Sequence, residues 1–372
     1  LSNRIPVTAL LAVLVLALGT AWAQEDAAPL SAEDVPKLIS NGNFFLAQND
    51  CAYAQYSFQE ALKVEPQNAD ALVGKGKSLA CEGAVQLAID TFRQALEIAP
   101  NDVSAHVHLA LAYEDQFLND PDQHSGRLTE ALEVLQRAAE IEPNNVEVLN
   151  TRGIILYQQG NLPDARASLE RALAQAGNAN ITDRERSTIQ VNLGKVYRDL
   201  GQLDLAQQSF RRAVVLDPAN ATAHNNLGNI EYRLGNCSEA EYELSQATSL
   251  APTSLSSVSQ LAIVMFECGN VAGSVPHFEK ALGLEGAVFA PPLYTYLARA
   301  YLEQGRFDEA IRRAQQGALL PPESADAYFH LGRAYVARGN EGDVSAAQRA
   351  FQRALELNPD YGPAREALSQ LP

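Results

Sequence analysis

Residues 59–68 read QEALKVEPQN, and residues 93–102 read RQALEIAPND. The same cadence returns as RRAVVLDPAN at 211–220 and as QRALELNPDY at 352–361. Each is a helix-favouring run closed by a proline, which cannot donate a backbone hydrogen bond and stops the helix. Pro66, Pro100, Pro143, Pro218, Pro252, Pro322 and Pro359 close such runs, and the undisturbed spacing, as from Pro66 to Pro100, is 34 residues. A fixed period of that length points to an array of two-helix units.

Other positions recur in the same register. Gly or Ala falls at position eight of each unit, as at Gly42, Gly76, Gly194 and Gly228. Small residues return at position twenty, as at Ala54 and Ala206, and at position twenty-seven, as at Ala61 and Ala213. Phe58, Phe92, Phe210, Phe278 and Phe351 stand at position twenty-four. Small residues let helices approach, and large ones fill the space left between them.

On these residues the sequence resembles the tetratricopeptide-repeat family from Val35 to Tyr361. The resemblance implies an all-α fold: a right-handed superhelical α-solenoid of nine helix pairs. The units read 35–68, 69–102, 103–145, 146–179, 187–220, 221–254, 255–288, 291–324 and 325–361. Extra residues fall around Asn119-Asp120-Pro121-Asp122, at 180–186 and at Gly339–Asp343, each expected to enlarge a turn. Ser31 with Asp34 supplies an S-x-x-D start for the first helix. Residues 362–372 form a capping helix, opened by Pro363, with Ala364, Ala367, Leu368 and Leu371 covering the last unit.

Apolar residues make up 47% of the chain, enough for a large core, and the formal charge is −17, from 28 basic and 45 acidic residues. Such a surface repels nucleic acid and anionic lipid, so neither is an expected partner. Residues 1–23 have the parts of a secretory signal: Arg4, the apolar run Val7–Leu18 and the small residues of Ala21-Trp22-Ala23. Cleavage is expected before Gln24, leaving 24–34 as a linker and an exported, periplasmic or extracellular protein. No other segment is apolar and long enough to span a bilayer.

Four cysteines occur in two similar placements: Cys51 with Cys81, and Cys237 with Cys268. The family's fold would set the start of one unit's second helix beside the end of the next unit's first helix. In an oxidising compartment this gives two disulfides, Cys51–Cys81 and Cys237–Cys268. The alternative is four buried thiols packing as small apolar side chains.

No catalytic, cofactor or metal motif emerges. The histidines at 106, 108, 124, 224, 277 and 330 include no H-E-x-x-H pattern. The stretch Asp120–Gly126 lacks the third acid and the bidentate Glu of a calcium loop. The resemblance implies instead a binding groove along the first helices. Its early positions are mixed: Ile39, Ser40, Asn43, Val73, Gly74, Lys77, Val107, His108, Asn150 and Ile154. Its later ones are Asn192, Lys195, Arg198, Asn225, Asn226, Asn229, Tyr232, Gln260, Tyr296, Arg299, His330 and Arg333.

An asparagine amide can donate to a peptide carbonyl and accept from a peptide N–H at once, so a row of them suits an extended segment. The cations Lys195, Arg198, Arg299 and Arg333 face no matching row of acids on their helices, although Glu267 and Glu303 lie at the edge, which favours acidic segments. The expected function is therefore that of a cell-envelope adaptor, a non-enzymatic scaffold that binds other proteins. The alternative is a structural or self-associating part of a secretion, pilus or cell-wall assembly.

Overall fold

A computed structural model describes residues 30–177, 179, 181–287 and 290–372, and the leader-like segment at 1–23 lies outside the described residues. The described residues form nineteen helices, with no strand among them. The chain divides into two compact units, Leu1–Thr151 and Arg152–Pro372.

The first unit holds α1 (Val35–Ala47), α2 (Cys51–Val64), α3 (Ala69–Cys81), α4 (Val85–Ile98), α5 (Val103–Asn119) and α6 (Arg127–Ile141). The boundary falls inside α7 (Val146–Gln158). The second unit continues with α8 (Leu162–Ala176), α9 (Asp183–Asp199), α10 (Leu203–Leu216), α11 (Ala221–Arg233), α12 (Cys237–Leu250), α13 (Leu255–Glu267) and α14 (Val271–Leu282). It ends with α15 (Pro291–Glu303), α16 (Phe307–Ala318), α17 (Ala325–Arg338), α18 (Asp343–Leu357) and α19 (Gly362–Ser369). From α1 to α6, and again from α8 to α19, each helix packs against its neighbours in the chain. First helices also touch one another: α1 with α3 and α3 with α5 in the first unit, and α9, α11, α13, α15 and α17 in sequence in the second.

The boundary motif explains where helices stop and start. Two residues after the proline stands a capping side chain: the oxygens of Asn68, Asp102, Asn220, Ser254 and Ser324 accept from the backbone N–H three residues on. Such a cap satisfies one of the amides that a helix start leaves without an internal partner. Inside every pair but α5–α6 the chain reverses through a left-handed residue, glycine at 83, 160, 201, 235, 269, 305 and 339 and Asn49 in the first pair. Glycine suits that conformation because it has no Cβ.

The core repeats with the sequence. The alanines at positions twenty and twenty-seven, such as Ala54, Ala61, Ala206 and Ala213, are fully buried, and Phe58, Phe92, Phe210, Phe278 and Phe351 are buried beside them. A Cβ on Gly194 would stand 2.5 Å from the Phe210 ring, so position eight there has no room for a side chain. At the end of the chain Ala364, Ala367, Leu368 and Leu371 of the α19 region pack onto Ala347, Phe351 and Ala354.

Two insertions differ from expectation. Helix α5 is 17 residues long and α9 is 17, against 13 in α3, so in each case residues assigned to a turn prolong the first helix by about one turn. At α5 the helix runs on until Asp120, where the following Pro121 disfavours helical backbone. At α9 a capping box between Thr182 and Glu185 starts the helix early. Ser31 and Asp34 form a hydrogen-bonded turn just ahead of α1, whose first residue is Val35.

Second helices are tied to the next pair by a polar contact at one register. Arg93 donates to the Tyr113 hydroxyl at 2.8 Å, and the Tyr197 hydroxyl donates to Glu170 at 2.8 Å. Arg211 pairs with Glu231 at 2.7 Å, Tyr301 donates to Glu279, and Gln315 donates to Tyr335 at 2.9 Å. Each joins position twenty-five of one unit to position eleven of the next. Where α2 meets α3 those positions are Gln59 and Leu79, and where α12 meets α13 they are Ser245 and Met265. At these two seams the cysteines lie at disulfide distance: Cys51 and Cys81 with Cα atoms 5.9 Å apart, Cys237 and Cys268 with Cα atoms 5.8 Å apart.

Candidate functional site

The twelve residues read from the later repeats all lie on first helices of the second compact unit. Asn192, Lys195 and Arg198 are on α9; Asn225, Asn226, Asn229 and Tyr232 on α11; Gln260 on α13; Tyr296 and Arg299 on α15; His330 and Arg333 on α17. Spacings of three and four residues bring those of one helix onto one side of it. All are at least partly exposed except His330, which is buried.

The amides are less free than the sequence implied. Asn226 donates to the Thr222 carbonyl and Asn229 to the Asn225 carbonyl, each at 2.9 Å. A polar side chain on a helix reaches the carbonyl one turn back, and that bond takes one of the two amide N–H groups. The second N–H of each remains for another acceptor.

The charges correct a stronger expectation. Arg198 forks onto Asp199 at 2.7 and 3.1 Å, while the Tyr157 hydroxyl donates to the same carboxylate at 2.6 Å. The guanidinium beside it holds Asp199 below the usual carboxylate range. Arg198 also reaches Asn226 Oδ1 at 3.5 Å, so one network spans α7, α9 and α11. Arg299 faces Glu267 at 3.5 Å and lies over the rings of Phe266 and Tyr296, at 4.8 and 5.0 Å. His330 Nε2 stands 3.5 Å from Asp326, which accepts from the Tyr361 hydroxyl at 2.7 Å. Arg299, Glu303, Asp326, His330 and Arg333 line a hollow of about 260 Å³. Acids at the second and thirteenth positions thus interleave with the cations, so there is no uncompensated positive stripe along this face.

The earlier repeats offer less still. Val73, Gly74 and Val107 are buried, not groove-lining. Lys77 contacts Ser104 Oγ at 3.2 Å, and burial lowers its pKa. Burial, with the Lys77 ammonium nearby, lowers His108 to about 4, and its ring packs 6.0 Å from that of Phe92. His224, buried on α11, is bound by Glu243 at 2.6 Å and faces the Pro218 carbonyl at 3.1 Å. Among the described residues no group of His, Cys, Asp and Glu is arranged to hold a metal ion, and no helix is long and apolar enough to cross a membrane. The seam contacts at positions eleven and twenty-five went unread in the sequence. Their signal was a tyrosine or glutamate recurring at position eleven opposite a polar residue.

Tetratricopeptide-repeat profiles match residues 41–103 and 297–342, 124–182 and 325–361, and a TPR-repeat profile matches 194–235. The chain is 26% identical over 171 residues to a probable UDP-N-acetylglucosamine–peptide N-acetylglucosaminyltransferase SPINDLY of Hordeum vulgare, covering 46% of this chain and 17% of that protein. It is 27% identical over 184 residues to anaphase-promoting complex subunit CDC16 of Saccharomyces cerevisiae, covering 48% and 21%. These alignments span about a fifth of the relatives' own length. Among solved structures, the APC/C hetero-tetramer Cut9–Hcn1 superposes with a TM-score of 0.54 at 16% identity, covering 92% of this chain and 67% of that one. That likeness is one of fold.

Proposed function

Because the chain belongs to the tetratricopeptide-repeat family, whose members serve as protein-interaction scaffolds, we propose that it is an adaptor holding an extended segment of a partner protein along the first helices α9 to α17. The observation that carries this reading is the run of partly exposed amides and aromatics on neighbouring first helices: Asn192, Asn226, Asn229, Gln260 and Tyr296. The second N–H of Asn226 and of Asn229 can grip a peptide backbone irrespective of its side chains, and the rings supply apolar contact. The compensated charges make recognition depend less on acidic residues in the partner than the cations alone would imply. A site in the cell envelope is part of the proposal, supported by two cysteine pairs at disulfide distance and by the leader-like residues 1–23.

The test uses a native partner fragment. Replacing Asn192, Asn226 and Asn229 together with alanine should weaken binding by at least tenfold while the melting temperature stays unchanged. Unaltered affinity in that variant would remove this face from the reading.

A further inference from the structure

The second helices carry a feature that peptide binding on the first helices does not use. Between α10 and α12 lies an open cleft of about 500 Å³. Val214 and Val215 form one wall, Tyr242 the other, and Leu227 the floor. Val215 is 79% exposed and Tyr242 62% exposed. Their registers are polar in most other units: the counterparts of Val215 include Lys63, Glu97 and Glu356. Two large apolar side chains thus stand at solvent-facing registers of adjacent units and converge on one cleft. The hollow between α14 and α16, two units further on, is lined instead by Arg306, Arg312, Arg313, Glu279 and Glu309. The apolar cleft is therefore not a general property of the repeat.

Its rim is acidic. Glu239 and Glu243 line it as carboxylates, while the buried Glu231 is paired with Arg211 at 2.7 Å. Despite burial, which opposes its charge, Glu231 is held below its ordinary range by hydrogen bonds from Asn236, Arg211 and Gln207. Glu239 is exposed at the start of α12, two residues beyond Cys237. With Cys237 placed beside Cys268, that side of the cleft is preorganised, which lowers the ordering cost of docking.

We propose that this cleft docks a basic amphipathic segment of a partner protein, its apolar side chains between Val215 and Tyr242 and its Lys or Arg residues against Glu239 and Glu243. Charge complementarity selects that occupant. A second copy of this chain, with its net charge of −17, would bring like charge to an acidic rim.

The experiment uses the full chain and two synthetic amphipathic helical peptides, one of Leu and Lys and one with Glu at every Lys, followed by fluorescence anisotropy. The Lys peptide should bind, and Val215→Glu and Tyr242→Ala should each weaken it at least tenfold. Glu239→Lys should weaken it severalfold, and the Glu peptide should not bind. A photoreactive residue at position 215 should crosslink to the Lys peptide. Circular dichroism of the variants should match wild type, since both apolar side chains are largely exposed. The asparagine triple variant should bind the Lys peptide as wild type does, which separates this cleft from the first-helix face. Lys-peptide binding indifferent to Val215→Glu and Tyr242→Ala would be mere attraction to an acidic surface and would overturn the proposal. So would sedimentation showing that wild type self-associates and Val215→Glu does not.

Discussion

The seam between α10 and α11 and the seam between α12 and α13 join successive helix pairs in different ways. At the first, the buried Glu231 carboxylate collects Arg211, Gln207 and Asn236 at 2.7 to 2.9 Å. At the second, the equivalent residues are Ser245 and Met265, and Cys237 and Cys268 meet at the edge of the seam. The first compact unit repeats the contrast: Arg93 and Tyr113 tie one seam, whereas Gln59 and Leu79 stand at the other beside Cys51 and Cys81. A position that supports a hydrogen bond in one unit becomes apolar in another, as at Leu79 and Met265, and paired cysteines stand at both of those seams. The small residues of the core are common to all these seams. Cohesion between neighbours is thus set locally, as expected for an array in which each unit leans only on the next.

Breaking the crosslinked seam should have the largest effect. Replacing Cys237 and Cys268 with serine should remove about 4 kcal/mol, the chain-entropy value for closing a loop of this length. Hydrogen exchange should quicken in α12 and α13 while protection in α4 and α5 is kept. Exchange that quickens uniformly would show that the two seams are not independent.

Breaking the polar seam comes next. Glu231→Ala strands Arg211, Gln207 and Asn236 and should cost about 2 kcal/mol by urea denaturation. Its pH dependence sharpens the contrast. The carboxyl of Glu231 lies below its ordinary value of 4.5 in the folded protein, so its stabilisation is complete above that value. The stabilisation drains away as pH falls through the folded-state value. The stability gap between wild type and Glu231→Gln should therefore be flat from pH 6 to 8 and shrink below about pH 4.5. A gap that widened on acidification would contradict this account. The smallest effect belongs to a neutral tie: Tyr335→Phe should cost about 1 kcal/mol, the loss of its bond from Gln315.

Much of this architecture was legible because repeated packing demands repeated residues. Proline followed two residues later by Asn, Asp or Ser states both the end of one helix and the cap of the next. The alanines at positions twenty and twenty-seven state where helices touch. Helix length at the insertions was less legible, since whether added residues coil or wind depends on local details such as Thr182 with Glu185. The candidate face was legible as a set of positions but not as a set of free groups. Arg198 meets Asp199 one residue away, and Arg299 meets Glu267 from the preceding first helix. Such pairings depend on rotamers and on contacts between helices, which a count of charges per helix does not contain. The burial of His330 was illegible for the same reason, because it follows from how α17 packs.

The paired cysteines also bear on how the chain would respond to tension. Cys51 and Cys81 are 30 residues apart, and Cys237 and Cys268 are 31 apart. Stretched chain extends by at most about 3.5 Å per residue, so each closed bridge withholds roughly 100 Å of contour length. If the protein is pulled from its ends, those segments cannot pay out while the bridges hold. Reduction would release them, giving the filamentous limit of the molecule two discrete lengths per bridge, short when oxidised and long when reduced.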